Sequence, residues 1–238
     1  MKKINISLFA GGSGNTKLIK MINDISWINL SIITNCYDDG KSTGRLRSYI
    51  PNMLGPSDIR KNISNLCNEN NAEEKKLMQI NDYRFKRINL KEILNTVSNS
   101  HKNLFIIINS LPKMRYELIV NYIRLFESHF KTNKIEKDFS LGNAIFCGVY
   151  LKYKNFNKSV EIYSELFSKK DKVYNITDGL NLLLVALRKN GEILDNESDI
   201  VSKPGSIIHD IFLLKKKLSK KDKHNLKKQT FLEKNKFL

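Results

Sequence analysis

The richest chemistry in this chain lies in Tyr37-Asp38-Asp39-Gly40-Lys41-Ser42-Thr43-Gly44-Arg45-Leu46-Arg47. Adjacent carboxylates, glycines, hydroxyls and arginines at the end of an apolar run suit a metal-screened phosphate better than a hydrophobic core. One carboxylate could hold a Mg²⁺ ion that bridges phosphate oxygens, because magnesium commonly uses only one or two protein carboxylates. Alternatively it could bond a ribose or other sugar hydroxyl. Ser42, Thr43 and Arg45 are candidate phosphate contacts. Arg45 and Arg47, two positions apart, point differently on a helix, so only one of them is expected to reach the ligand. The Gly40-Lys41-Ser42 triplet is not a P-loop, since Asn35 stands where the first glycine of that pattern belongs.

Three further stretches carry the same signature. Gly11-Gly12-Ser13-Gly14-Asn15 follows an apolar run and precedes a helical pattern, which places backbone N–H groups and a helix N-terminus where a phosphate could sit. It is neither a dinucleotide fingerprint, because Lys17 holds the third glycine position, nor a nucleophile elbow, because Asn15 holds the last. Gly55-Pro56-Ser57-Asp58-Ile59-Arg60 opens another helix, with Asp58 as a second metal or hydroxyl partner and Asn62 one turn on. By itself that pattern is equally a capped helix. Ser140-Leu141-Gly142-Asn143 starts a third helix, where glycine beside an amide permits close backbone approach. His101, His129, His209 and His224 form no partner pattern, which argues against histidine-based nucleophilic catalysis.

The elements that must position these residues read as the opening of a parallel α/β sheet. Strands are expected at 4–9 and 30–35 with a helix at 16–24 between them, and ligands in such sheets collect at the carboxyl ends of strands. Leu104–Ile108 reads as a third parallel strand. Ser57 is expected to cap a helix to about Cys67, and Pro112 to open one through about Phe130 with Leu118, Tyr122, Leu125 and Phe126 on one face. Helices follow at 141–153 and 159–167. After Lys172 the texture becomes strand-like (173–174, 180–187, 192–194, 207–214), with Asn190-Gly191 as a hairpin turn. The expected fold is α/β: a Rossmann-like parallel sheet, a helical middle region and a small β-rich segment over 172–214. One domain spans 1–214, with 69–138 as an expanded region and 215–238 as a basic tail carrying at most a short helix.

Composition narrows the partners. With 238 residues and 41% hydrophobic content the chain can bury one substantial core. No apolar run approaches the roughly 20 residues that cross a bilayer, and no membrane partner is expected. The N-terminal lead reads as a first strand rather than a signal peptide. Cys36, Cys67 and Cys147 are far apart, with no CxxC pair, and read as reduced thiols of a cytoplasmic protein. The net charge of +17 is uneven: ten lysines against two acids after Leu214 carry +8 of it. That reads as a solvated basic tail, so nucleic acid is not the expected partner.

Taken in order, these motifs resemble the 2-phospho-L-lactate transferase (CofD-like) superfamily, which includes the YvcK-like gluconeogenesis factors. Val173-Tyr174-Asn175-Ile176-Thr177, Asn190-Gly191-Glu192 and Asn196-Glu197-Ser198-Asp199-Ile200 extend the likeness. The resemblance implies a nucleotide or nucleotide-sugar ligand, Mg²⁺, and one of two activities. One is transfer of a phospholactyl-type group from a guanylyl donor; the other is UDP-sugar sensing without turnover, toward which the wording of Asp38–Arg47 leans. It further implies that Gly11, Gly12, Ser13 and Gly14 meet the phosphate, with Asn15 and Arg60 nearby. Asp39 and Asp58 would then be the metal or acceptor carboxylates, and Asn143 would line the same cleft. Members of the family continue past the Glu-Ser-Asp-Ile stretch into further parallel strands with a Gly-Pro-Gly-Ser loop; here Lys203-Pro204-Gly205-Ser206 comes too early and reads as a turn. An inactive relic and a homo-oligomer both remain open at this stage.

Overall fold

The computed structural model describes residues 3–37, 41–68, 70–167, 173–195 and 197–227. The chain opens with β1 (Ile4–Phe9), α1 (Thr16–Asn23), β2 (Ile28–Thr34), α2 (Lys41–Tyr49) and α3 (Ser57–Leu66). The middle holds α4 (Ala72–Asp82), β3 (Arg84–Asn89), α5 (Ile93–Ser100), α6 (Lys102–Asn109), α7 (Lys113–His129), β4 (Ile135–Ser140), α8 (Leu141–Tyr153) and α9 (Phe156–Phe167). The remainder is β5 (Val173–Asn175), β6 (Leu183–Arg188), β7 (Ile193–Leu194), α10 (Glu197–Ser202), β8 (Ile208–Leu214) and α11 (Lys220–Lys227). These divide into two compact units, residues 1–36 with 56–179 and residues 37–55 with 180–238.

The first unit is built on a parallel sheet of order β1-β2-β5. β1 runs beside β2 from Ile4↔Ile28 to Phe9↔Ile33, as expected, and β2 pairs with β5 from Ile32↔Val173 to Thr34↔Asn175. Alternation along β2 buries Leu30, Ile32 and Thr34 on one face. The other face presents Ser7, Phe9, Ser31, Ile33 and Tyr174 along a shallow groove that carries no charged side chain.

The third parallel strand expected at 104–109 is instead α6. A five-residue apolar run does not distinguish strand from helix. The helix puts Leu104 and Ile108, four apart, on one buried face and leaves Phe105 and Ile106 exposed. The third strand of the sheet is the short β5, from the stretch expected to be part of the β-rich segment. Two other boundaries differ. Ser57 is the first helical residue of α3, with Pro56 at its cap position. α9 starts earlier than expected because Asn155 receives the Lys158 N–H on its side chain at 2.9 Å. The antiparallel pair β3–β4, unanticipated, joins Phe85 to Phe139 within the middle region.

α8 is buried all round from Leu141 to Tyr150, as a helix enclosed by others must be. The face that α7 buries is Ile119, Val120, Tyr122, Ile123 and Phe126, whereas Leu125 is exposed. The two helices approach so closely that a Cβ on Gly148 would overlap the Tyr122 carbonyl oxygen and lie 2.6 Å from its carbon.

In the second unit, β6 pairs antiparallel with β7 and β8. Gly191, at φ +81°, closes the expected hairpin through a conformation that glycine adopts without strain. Its core gathers Val185, Leu187, Phe212 and Leu214 around Leu218, a residue of the lysine-rich stretch. α11 opens with a reciprocal cap, in which the Ser219 N–H donates to Asp222 Oδ2 at 2.9 Å and the Asp222 N–H to Ser219 Oγ at 3.1 Å. Lys223 then pairs with Asp195 at 2.6 Å. Among the described residues, no helix is long and apolar enough to cross a membrane.

The α7–α8 contact yields a prediction. Gly148→Ala should destabilise the protein by about 1–3 kcal/mol through overpacking, read as a lower urea midpoint with the far-UV spectrum retained. An unchanged midpoint would mean that the two helices can separate without cost.

Candidate functional site

The glycine turn links β1 to α1 at the carboxyl edge of the sheet. The Ala10 N–H donates to Ile33 O at 3.0 Å, which holds the turn's start against β2. Asn15 Nδ2 donates to Phe9 O at 3.2 Å and draws the end of the turn back to its beginning. Asn15 makes no side-chain cap bond to α1. A Cβ on Gly11 or Gly14 would meet nothing within 4 Å, so both glycines stand over open space. Gly12 differs. A Cβ there would collide with Asp58 Oδ1 and lie 2.6 Å from Lys61 Nζ. Any larger residue here would have to push aside the ends of those two side chains to seat the turn against the first turn of α3.

Asn62 makes that seating specific. Fully buried, its Nδ2 lies 3.0 Å from each of Gly11 O, Thr34 Oγ1 and Asp58 O. One amide thus ties the glycine turn, the end of β2 and the start of α3 together. Its Oδ1 has no partner among the described residues. Asp58, near the positive end of the α3 dipole, has Lys61 Nζ 3.4 Å from Oδ1, with side chains 17% and 40% exposed respectively. The turn, Asp58 and the helix start therefore come together as the sequence suggested. Lys61 and Thr34 join them unannounced; the signal available for Lys61 was its spacing of three from Asp58.

Arg60 faces the opposite way. It is 4% exposed, and its Nη1 donates to Asp82 Oδ1 at 2.6 Å and to Asn81 O at 3.2 Å. Its guanidinium belongs to a buried network. In it, Asn81 Nδ2 donates to Arg60 O at 3.1 Å, and the Tyr163 hydroxyl donates to Asn81 Oδ1 and, at 3.1 Å, to Gly142 O. Gly142 is required here, since a Cβ would strike Asn81 and lie 2.6 Å from Arg60 Cδ. Asn143, 1% exposed, has Nδ2 3.4 Å from Ser57 Oγ, which links the start of α8 to that of α3. Its Oδ1 likewise lacks a partner among the described residues. Burial raises the Tyr163 hydroxyl pKa well above its usual value.

Asp38, Asp39 and Gly40 lie outside the described residues. Within the second unit, Thr43 is buried and Arg45 is exposed on α2. Arg47 is engaged within its own unit: Nη1 donates to Tyr37 O at 2.9 Å, and Nη2 to Leu182 O at 2.8 Å and Asn181 Oδ1 at 2.7 Å.

Comparison with known proteins gives three findings. The family model "2-phospho-L-lactate transferase CofD" matches residues 6–228. A Thermotoga maritima protein named "Putative gluconeogenesis factor" is 24% identical over 198 residues, which is 83% of this chain and 46% of that protein. Two crystal structures of a Bacillus halodurans member of the UPF0052 family superpose with TM-scores of 0.61 and 0.59 at 22% identity. They cover 90% and 91% of this chain and 52% of the other in each case. The chain thus spans about half the length of these relatives.

Two outcomes are expected from the buried polar groups. Asn62→Leu leaves Gly11 O and Thr34 Oγ1 without their donor and should cost about 1–3 kcal/mol in chemical denaturation. Asn62→Asp with wild-type stability would refute the donor role of the amide. The raised Tyr163 pKa stabilises the fold fully below the unfolded tyrosine value of 10.0, and this stability is lost as pH climbs through the folded value. The alkaline fall in stability above pH ~10 should therefore be shallower in Tyr163→Phe than in the wild type, measured as urea midpoint against pH.

Proposed function

Because the chain belongs to the 2-phospho-L-lactate transferase CofD family, we propose that it binds the phosphates of a nucleotide or nucleotide-sugar on the Gly11–Gly14 turn. The observation that carries this reading is the seating of Gly12 against Asp58 and Lys61, beside two glycines that face open space. Backbone N–H groups of the turn and the positive end of the α1 dipole supply fixed donors and favourable potential for an anion. The first turn of α3 adds a charged wall. Asn62 holds the turn's geometry before the ligand arrives, which lowers the ordering cost of binding.

Of the carboxylates that the family resemblance assigns to Mg²⁺, Asp39 lies outside the described residues, and Asp58 stands at the glycine turn with Lys61 Nζ 3.4 Å from its Oδ1. Magnesium commonly uses only one or two protein carboxylates, and among the described residues no group of three or more His, Cys, Asp or Glu could hold a metal ion.

The family name favours group transfer, in which the protein would release GMP from a guanylyl donor. The likeness to a gluconeogenesis factor favours a second reading, a UDP-sugar sensor without turnover.

A ligand screen decides between them. At about 100 times its Kd, a bound nucleotide should add roughly 2.7 kcal/mol of stability. Stabilisation by GDP-type ligands with release of GMP supports transfer, and stabilisation by UDP-N-acetylglucosamine without product supports sensing. If no nucleotide or nucleotide-sugar shifts the melting temperature, the phosphate-binding reading fails.

A further inference from the structure

Helices α5, α6 and α7 line a cleft of about 270 Å³ in the middle region, built from residues outside the glycine-rich motifs. We propose that this cleft binds a small monocarboxylate with a short apolar body, its carboxylate on Arg124 and its body over Val120 and Ile108. The site stands independently of the phosphate-binding reading above.

The apolar half of the cleft is already formed. Val97, Ile108 and Val120, one from each helix, line it and are buried members of the core. Phe105 lines it too, yet keeps 42% of its surface in water. The cause lies in α6, whose run Leu104–Ile108 is apolar throughout, whereas the side that packs inward is the one with Leu104 and Ile108. A ligand body against Phe105 removes apolar surface from water in a hollow that exists beforehand. The volume is at the small end of ligand clefts, which suits a short body.

Charge selects the other half of the ligand. Among the described lining residues Arg124 alone is charged, and its guanidinium makes no hydrogen bond or ion pair with any described residue. Glu127, three positions on, does not claim it: that carboxylate accepts the Leu94 N–H at 2.7 Å at the start of α5. Burial raises the Glu127 carboxyl above its usual range, and the Arg124 charge opposes this without contact. Leu94 and Asn95 line the cleft as well, so Arg124 and the first turn of α5 stand at the same end. Asn95 Oδ1 accepts from Asn99 Nδ2 at 2.8 Å, which leaves the Asn95 amide N–H groups as donors there. Tyr116, Val120 and Arg124 follow at four-residue spacing on α7, so the cleft runs about 12 Å along that helix, from a phenol to a guanidinium. The planar guanidinium matches a carboxylate through two parallel N–H bonds. A phosphate head suits the site less, because one guanidinium with the Glu127 carboxylate behind it does not balance two negative charges.

The test is calorimetric titration of the full 238-residue chain with octanoate, octanol and octyl phosphate, which share a tail and differ in the head. Octanoate should bind one to one, and octanol about 10- to 100-fold more weakly, as expected for loss of a charge-assisted hydrogen bond. Arg124→Met should weaken octanoate binding by the same factor and leave octanol binding unchanged. Arg87→Met, which removes an exposed charge on β3, should leave octanoate affinity unchanged. Ser98→Trp, at an exposed lining position on α5, should block both ligands. Thermal melts of each variant report folding, and the octanoate–octanol comparison on the wild type needs no substitution. Equal affinity for octanoate and octanol overturns the proposal, as does a folded Arg124→Met or Ser98→Trp with wild-type octanoate affinity. Tighter binding of octyl phosphate than of octanoate overturns it too. So does the absence of saturable one-to-one octanoate binding below the micellar range.

Discussion

The candidate site depends on one buried amide. Asn62 Nδ2 reaches Gly11 O, Thr34 Oγ1 and Asp58 O, each at 3.0 Å, from a residue with no exposure to solvent. These acceptors come from three separate elements, the glycine turn, the end of β2 and the first turn of α3. The three bonds converge on one buried side chain, which holds the turn and the end of β2 against α3. The geometry at Gly12 accords with this: the turn lies against α3, with the ends of the Asp58 and Lys61 side chains beside it.

A second polar network fixes α3 from its other side. Arg60, Asn81 and Tyr163, with the Gly142 carbonyl, join α3 to α4, α8 and α9 through hydrogen bonds made largely out of water. Asp82 is 45% exposed, so its 2.6 Å pair with Arg60 orients the guanidinium more than it stabilises the fold. α3 is therefore amphipathic in an unusual sense. One polar edge faces the glycine turn with Asp58, Lys61 and Asn62; another carries Arg60 and Ser64 into the interior. The separation of these edges gives adjacent residues unrelated roles.

The sheet that carries the turn is covered on one face and open on the other. Parallel sheets ordinarily bury both faces beneath crossover helices. Here Phe9 and Tyr174 are 65% and 52% exposed, in one row across the three strands with Ile33. The relatives that share this fold are about twice as long as the matched region.

Much of the framework was legible because it rests on short-range rules. The apolar runs at 4–9 and 30–34, the glycine turn and the helix that follows specify a βαβ start whatever surrounds them, although β2 itself begins at Ile28. The hairpin at Asn190-Gly191 is equally local. The order of motifs also sufficed for the family, since spacing survives at low identity. What lay beyond the sequence was decided by packing. Leu104–Ile108 suits strand and helix alike, and only a neighbour for Leu104 and Ile108 together makes it a helix. Arg60 and Lys61 are adjacent cations in a string. On a helix they are about 100° apart, so Arg60 enters the Asn81 network while Lys61 reaches the glycine turn. Which charge meets the turn depends on the surfaces each side of α3 is pressed against, and those surfaces come from residues up to a hundred positions away.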